Sequence, residues 1–300
     1  MKGPKPIFEG AGVALVTPFD NYGNINYPKM AELIEEQIAA GTDAIISIGT
    51  TGEGSALDIV EHVKGIEFTC KQVAGRVPVI AGTGSNDTAF AVKLSNEAEK
   101  VGADALLMVT PYYNKTSQRG LVRHYRYIHD RVSKPIVLYN VPSRTGVDIK
   151  PETYAELAEM PRVVAAKEAN GNIAAFAKTM DLCGDKLDFY SGNDDQITAL
   201  CALGAKGVIS VLSNVAPKVA HDIAMEAING NVAESARLQI EYIDLINALF
   251  SDVNPIPVKE AMNILGFNAG APRAPLTTME DCNREKLVNA MKNYGLECKA

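Results

Sequence analysis

Apolar residues occur along this chain in short unbroken runs, separated by longer stretches in which they recur every three or four positions. Eight runs stand out: residues 12–18 (GVALVTP), 44–50 (AIISIGT), 78–84 (PVIAGTG), 105–111 (ALLMVTP), 135–142 (PIVLYNVP), 163–169 (VVAAKEA), 188–194 (DFYSGND) and 207–214 (GVISVLSN). Continuous apolar runs of this length predict strands covered on both faces, and therefore a parallel sheet. The stretches between them are mostly long enough for a helix and its loops. In the first, Asn21-Tyr22-Gly23-Asn24 reads as a turn and Pro28 suits a first helical position. Met30, Leu33, Ile34 and Ile38 then form one stripe, and Gly41 ends the helix. The wording repeats: GTDAII from Gly41 is echoed by GADALL from Gly102 and GAKGVI from Gly204, each a helix-ending glycine leading into a buried strand.

Eight strand–helix units predict an α/β fold, a (β/α)8 TIM barrel. An open doubly wound sheet would call for a glycine-rich phosphate loop, G-x-G-x-x-G or G-x-x-x-x-G-K-[ST], and neither is present. After residue 214 no strand pattern returns. Pro217–Ile228 completes the eighth unit, Val232, Ala236, Ile240, Ile243 and Phe250 are helically spaced, and residues 258–265 and 280–291 read as helices. The expected division is a catalytic barrel over residues 1–230 and a C-terminal helical region over 231–300. The stripe from Val232 has two possible partners, the barrel or another subunit.

The length of 300 residues suits one such barrel, and 47% hydrophobic residues supply its core. A net charge of -7 and a pI near 5.3 argue against nucleic acid or an anionic membrane as partner, since both need a basic face. Cys70, Cys183, Cys201, Cys282 and Cys298 are scattered and odd in number, without C-x-x-C spacing, which reads as reduced thiols in a cytoplasm rather than a zinc site or a disulfide framework. The four histidines form no ligand pattern, so no metal is expected; His124 and His129, in one polar segment, read as solvated. Residues 1–6 (MKGPKP) have no apolar leader and no run approaches transmembrane length, so a soluble, cytoplasmic protein is expected.

Active sites of such barrels lie at the C-terminal ends of the strands. Those ends carry Gly49-Thr50-Thr51-Gly52-Glu53, Gly82-Thr83-Gly84, Thr110-Pro111-Tyr112-Tyr113-Asn114, the stretch from Tyr139 to Gly146 with Arg144, Lys167, and Ser191-Gly192-Asn193-Asp194. Gly-Thr-Thr-Gly offers backbone N–H groups and hydroxyls to a carboxylate or phosphate, or is simply a helix-capping turn. Tyr139 and Tyr113 are either core aromatics or proton carriers. Lys167 is either a rim lysine paired with Glu168 or a nucleophilic amine. An ammonium is no nucleophile, but burial disfavours the charged form, and a neutral amine attacks a ketone to give an imine. The iminium is an electron sink that lets the neighbouring carbon lose a proton. A tyrosine–threonine chain would relay the protons, and Arg144 is either a solvated loop charge or a clamp for a carboxylate of a second substrate.

The motifs GTTGE (residues 49–53), TPYYN (110–114), YNVPSRTG (139–146), KEA (167–169), GVISV (207–211) and NPIPVK (254–259) closely resemble those of the dihydrodipicolinate synthases, within the N-acetylneuraminate lyase superfamily. The resemblance spans essentially the whole chain. It implies condensation of pyruvate with L-aspartate 4-semialdehyde to 4-hydroxy-tetrahydrodipicolinate, in the diaminopimelate route to lysine. It also implies these roles: Lys167 forms the Schiff base, Tyr139 transfers protons with Thr51 and Tyr113, Thr50 and Thr51 bind the pyruvate carboxylate, Arg144 binds the semialdehyde, and Gly192 and Ile209 line the site. Tyr113 would come from the neighbouring subunit of a tight dimer, two dimers making a homotetramer. The covalent imine on Lys167 would need no other cofactor. Feedback by lysine, where family members show it, uses the positions of Gly54, Ser55, Ile59, His62, Asn86, Phe90 and Tyr112. His62, Asn86 and Tyr112 match, but Ile59 replaces a usual histidine and Phe90 a usual glutamate, which implies weak or absent inhibition. A sister lyase acting on a sugar acid would share Lys167 and Tyr139 but usually lacks Arg144, and a non-catalytic barrel would be free to lose the lysine or the tyrosine.

Overall fold

The computed structural model describes residues 5–299; residues 1–4, within the segment read above as lacking an apolar leader, and residue 300 lie outside the described residues. Eight parallel strands close into a barrel in chain order: β1 (Gly10–Ala14), β2 (Ala44–Ser47), β3 (Val79–Gly82), β4 (Ala105–Val109), β5 (Ile136–Asn140), β6 (Val163–Glu168), β7 (Asp188–Ser191) and β8 (Gly207–Ser210). Between them lie α1 (Tyr27–Ala39), α2 (Ile59–Val73), α3 (Thr88–Lys100), α4 (Gln118–His129), the short α5 (Pro142–Thr145) with α6 (Pro151–Leu157), α7 (Ile173–Cys183) and α8 (Ile197–Ala202). After β8 come α9 (Pro217–Ile228), α10 (Val232–Glu241), α11 (Ile243–Ala248), α12 (Ile256–Ile264) and α13 (Asp281–Asn293).

The strands are shorter than the apolar runs that predicted them. Leu15 and Val16 stay buried beyond β1, and Ile48 beyond β2, so the apolar pattern continues where the ladder stops. Pro18, Pro111 and Pro142, which lack an N–H, end three of the runs. Burial on both faces is visible residue by residue along β5. Val137 and Tyr139 belong to the cluster inside the barrel, with Ile46, Leu107, Ala165, Tyr190 and Ile209. Ile136 and Leu138 pack outward, among Tyr154, Phe189 and the helices. The N-terminal end of the barrel is plugged by Phe8, stacked on Tyr190 with ring centroids 4.2 Å apart.

One expectation changes. His124 is buried, not solvated: it shares a 2.9 Å hydrogen bond with Thr88 Oγ1, and burial lowers its pKa to about 4, leaving it neutral. His129 is half-buried and bonded to Asp130. The stripe from Val232 does not pack on the barrel at Val232, Ile240 or Phe250; Ile240 is 71% exposed. The inward face of α10 is polar instead, with Ser235 donating to Ile223 O at 2.6 Å and Gln239 donating to Asp194 O at 2.7 Å.

The barrel closes where β1 meets β8, pairing Gly10 with Gly207. A Cβ on Gly207 would lie 1.9 Å from Gly10 O, and its φ of +147 is itself rare for other residues. Gly207→Ala should therefore destabilise the fold by at least about 2 kcal/mol, through overpacking and backbone strain. A lowered urea midpoint with an unchanged m-value would show this, and an unchanged midpoint would refute it.

Candidate active site

The turn after β2 is tightly specified. Glu53 N donates to Thr50 O at 3.0 Å and Gly54 N to Gly49 O at 3.1 Å. Ile48 at its entry and Glu53 at its end both adopt left-handed backbone, with φ of 53 and 55. Thr51 is buried and its Oγ1 accepts a 3.0 Å hydrogen bond from Asn254 Nδ2, while Thr50 is half-buried and lines a cavity of about 470 Å³.

On β5 and β6 the register sets Tyr139 beside Lys167 and Asn140 beside Glu168. Successive residues face opposite sides of a strand. Lys167 therefore enters the barrel while Glu168 leaves it, and the rim pair of Lys167 with Glu168 does not form. Lys167 is 6% exposed, and its Nζ lies 4.5 Å from the centroid of the Tyr139 ring. Gly192, on the loop after β7, gives the lysine stem its room: a Cβ there would stand 3.1 Å from Lys167 Cε and 2.7 Å from the Ala169 methyl. Ile209, on β8, is buried in the interior cluster. Arg144, exposed on α5, also lines the cavity, and its Nη2 donates to Asn254 O at 3.1 Å.

Tyr113 is not brought in. It stands 92% exposed on the β4–α4 connection, at φ 66, and it is Tyr112 that lines the cavity. The arrangement can bind a small keto acid: a carboxylate-holding turn, a buried amine beside a phenol, and a cation at the rim. The chain matches the Dihydrodipicolinate synthetase family over residues 7–294.

The chain belongs to this family.

It is 52% identical to the 4-hydroxy-tetrahydrodipicolinate synthase of Caldicellulosiruptor saccharolyticus over 294 residues, 98% of this chain and 99% of that protein. Among solved structures it is similar to dihydrodipicolinate synthase from Aquifex aeolicus, with a TM-score of 0.95 and 42% identity over 98% of this chain and all (100%) of that one. It is also similar to the chloride-inhibited dihydrodipicolinate synthase of Acinetobacter baumannii, solved in complex with pyruvate, with a TM-score of 0.94 and 41% identity over 96% of this chain and 99% of that one.

The positions that the family resemblance ties to feedback adjoin this mouth. Gly54, Ser55, Ile59, His62, Phe90 and Tyr112 line the same cavity, and no aspartate or glutamate does. His62 is buried, its Nε2 donating to Gly82 O at 2.7 Å, and burial lowers its pKa. Asn86 is placed differently: its carbonyl accepts from Asn114 Nδ2 at 2.9 Å on the loop after β3, and it does not line the cavity.

Four polar residues gained no role from the sequence, yet the structure gives each a place. Asn254 joins Thr51 to Arg144. Glu53 and Lys259 form a buried ion pair at 2.7 Å. Asp194 is buried behind the site, its Oδ2 accepting from Val211 N at 3.0 Å and Leu212 N at 2.9 Å; burial raises its pKa, against those donors and the charge of Lys167. The only signal was a polar residue inside a motif or an apolar run.

Behind Lys167, the Glu168 carboxylate accepts from Tyr154 Oη at 2.8 Å, Asn140 Nδ2 at 3.1 Å and Asn170 N at 2.8 Å. Burial still pushes it up to about 7. A carboxyl raised in the fold holds its proton longer than in the unfolded chain. Its contribution is thus present in full below the unfolded value of 4.5 and lost as pH rises to about 7. Wild-type stability relative to Glu168→Gln should fall across that window and level off above it. Urea midpoints of both proteins at pH 4.5, 6 and 8 test this; parallel profiles would contradict it.

Proposed function

We propose that the chain condenses pyruvate with L-aspartate 4-semialdehyde to 4-hydroxy-tetrahydrodipicolinate, in lysine and diaminopimelate biosynthesis, through an imine on Lys167. The observation that carries this reading is a contrast between two buried lysines. Lys259 is neutralised by Glu53 at 2.7 Å, whereas Lys167 has no such carboxylate partner among the described residues and faces Tyr139. The amine adds to the pyruvate ketone and water leaves, giving the imine. Loss of a methyl proton gives the enamine, whose carbon attacks the aldehyde. Ring closure by the semialdehyde's amino group on the imine carbon then frees Lys167.

In this reading Thr50 and Thr51 hold the pyruvate carboxylate, Tyr139 and Thr51 move protons, Gly192 and Ile209 shape the pocket, and Arg144 holds the semialdehyde carboxylate. Neither metal nor organic cofactor enters. Tyr113 serves the site of a neighbouring subunit, which its exposure supports. The exposed Val232, Ile240 and Phe250 support a further contact between copies, and so a homotetramer of two tight dimers. The cytoplasm is the assigned location; among the described residues no helix is long and apolar enough to cross a membrane.

The test is borohydride trapping. Reduction in the presence of pyruvate should leave an adduct on Lys167, located by peptide mass spectrometry. Arg144→Ala should keep that adduct while kcat/KM for the semialdehyde falls by about 100-fold, the loss of a charge-assisted bond or two. No adduct on a folded protein would refute the reading. Cleavage of a sugar acid in place of condensation would favour a sister lyase.

Lysine inhibition should be weak or absent. A lysine ammonium in this cavity would meet Ile59 and Phe90 and no carboxylate, leaving a charge unpaired. Clear inhibition by lysine at millimolar concentration or below would overturn this.

A further inference from the structure

Lys259 and Glu53 are used by no step above. Lys259 is 1% exposed on α12. Its Nζ donates to Glu53 Oε1 at 2.7 Å and to Ala271 O at 3.2 Å, and lies 4.2 Å from the centroid of the Phe19 ring. The other carboxylate oxygen of Glu53 accepts from Arg273 N at 2.7 Å. Burying two charges costs more than it returns in many proteins, so such a pair is weak support for stability as its purpose. What distinguishes this one is where it pulls. Glu53 ends the Thr50–Thr51 turn in left-handed backbone, as Ile48 begins it. L-residues disfavour that region, and it persists where the surroundings hold it. Five positions before Lys259 in the chain, Asn254 bonds Thr51 Oγ1. The C-terminal region thus grips the turn at two points.

We propose that Lys259 and Glu53 are positioning residues for pyruvate: their ion pair holds the strained turn so that Thr50 and Thr51 present their N–H and hydroxyl groups to the substrate carboxylate. This rests on the reading of Lys167 and of that turn given above. Arg144 is held through the Asn254 carbonyl and not through the pair, so the second substrate should be little affected.

The experiment titrates pyruvate in borohydride trapping on full-length wild type, Glu53→Gln and Lys259→Met/Glu53→Gln, with thermal melts to establish folding. The double variant leaves no lone buried charge and stands in if the single one does not fold. In a folded variant, pyruvate for half-maximal adduct should rise about tenfold, while the plateau per folded molecule and the KM for semialdehyde stay within about twofold. Half-saturation within twofold of wild type, or a loss confined to the plateau, would overturn the proposal. Failure of both variants to fold would also overturn it, making the pair a folding element. A wild type that forms no adduct refutes the imine reading and this proposal with it; a wild-type adduct with unmoved variants refutes this proposal alone.

Discussion

A lysine amine inside a closed barrel is the constraint to which the surrounding structure answers. Taking that group out of water is unfavourable, and among the described residues no carboxylate pairs with it directly, Asp194 answering its charge only from behind the site. Strand alternation puts Lys167 inside and Glu168 outside, so the acidic neighbour in sequence cannot neutralise it. Glycine at position 192 leaves space for the stem, and the Tyr139 ring, parallel in register, supplies the adjoining surface. The demands of packing and of the proposed imine chemistry meet on one strand.

The second buried lysine shows the opposite solution. Lys259 is paired, bonded to a carbonyl and set over an aromatic ring, and burial still lowers its pKa against the attraction of Glu53. The two residue types are identical, and their surroundings differ: one faces a phenol ring without a close carboxylate, and the other is paired. The helices after the barrel therefore do more than cover it, since Asn254 and Lys259 reach the mouth from 203 and 206 residues away in sequence.

Much of this was legible in the chain. The eight strands announced themselves because both of their faces are buried, which leaves an unbroken apolar signature, and the strand-end rule then gathered Thr50, Tyr139, Arg144 and Lys167 at one mouth. Strand ends were less legible, because Leu15, Val16 and Ile48 remain buried after the ladder has stopped. His124 misled because Arg123 and Arg126 beside it are exposed while it turns inward to Thr88. The stripe of α10 left its partner open because the inward side chains, Ser235 and Gln239, satisfy buried carbonyls and so look like surface residues in the sequence. The links from Asn254 to Thr51 and from Lys259 to Glu53 join positions far apart in the chain, and no local pattern encodes such a contact.

Asn254 reaches its two neighbours by different means. Arg144 takes its backbone carbonyl, and Thr51 takes its side-chain amide. The first link is indifferent to which residue occupies the position; the second belongs to asparagine. Mutational drift at 254 is thus one-sided: it can loosen the turn that carries Thr51 while leaving the rim arginine anchored.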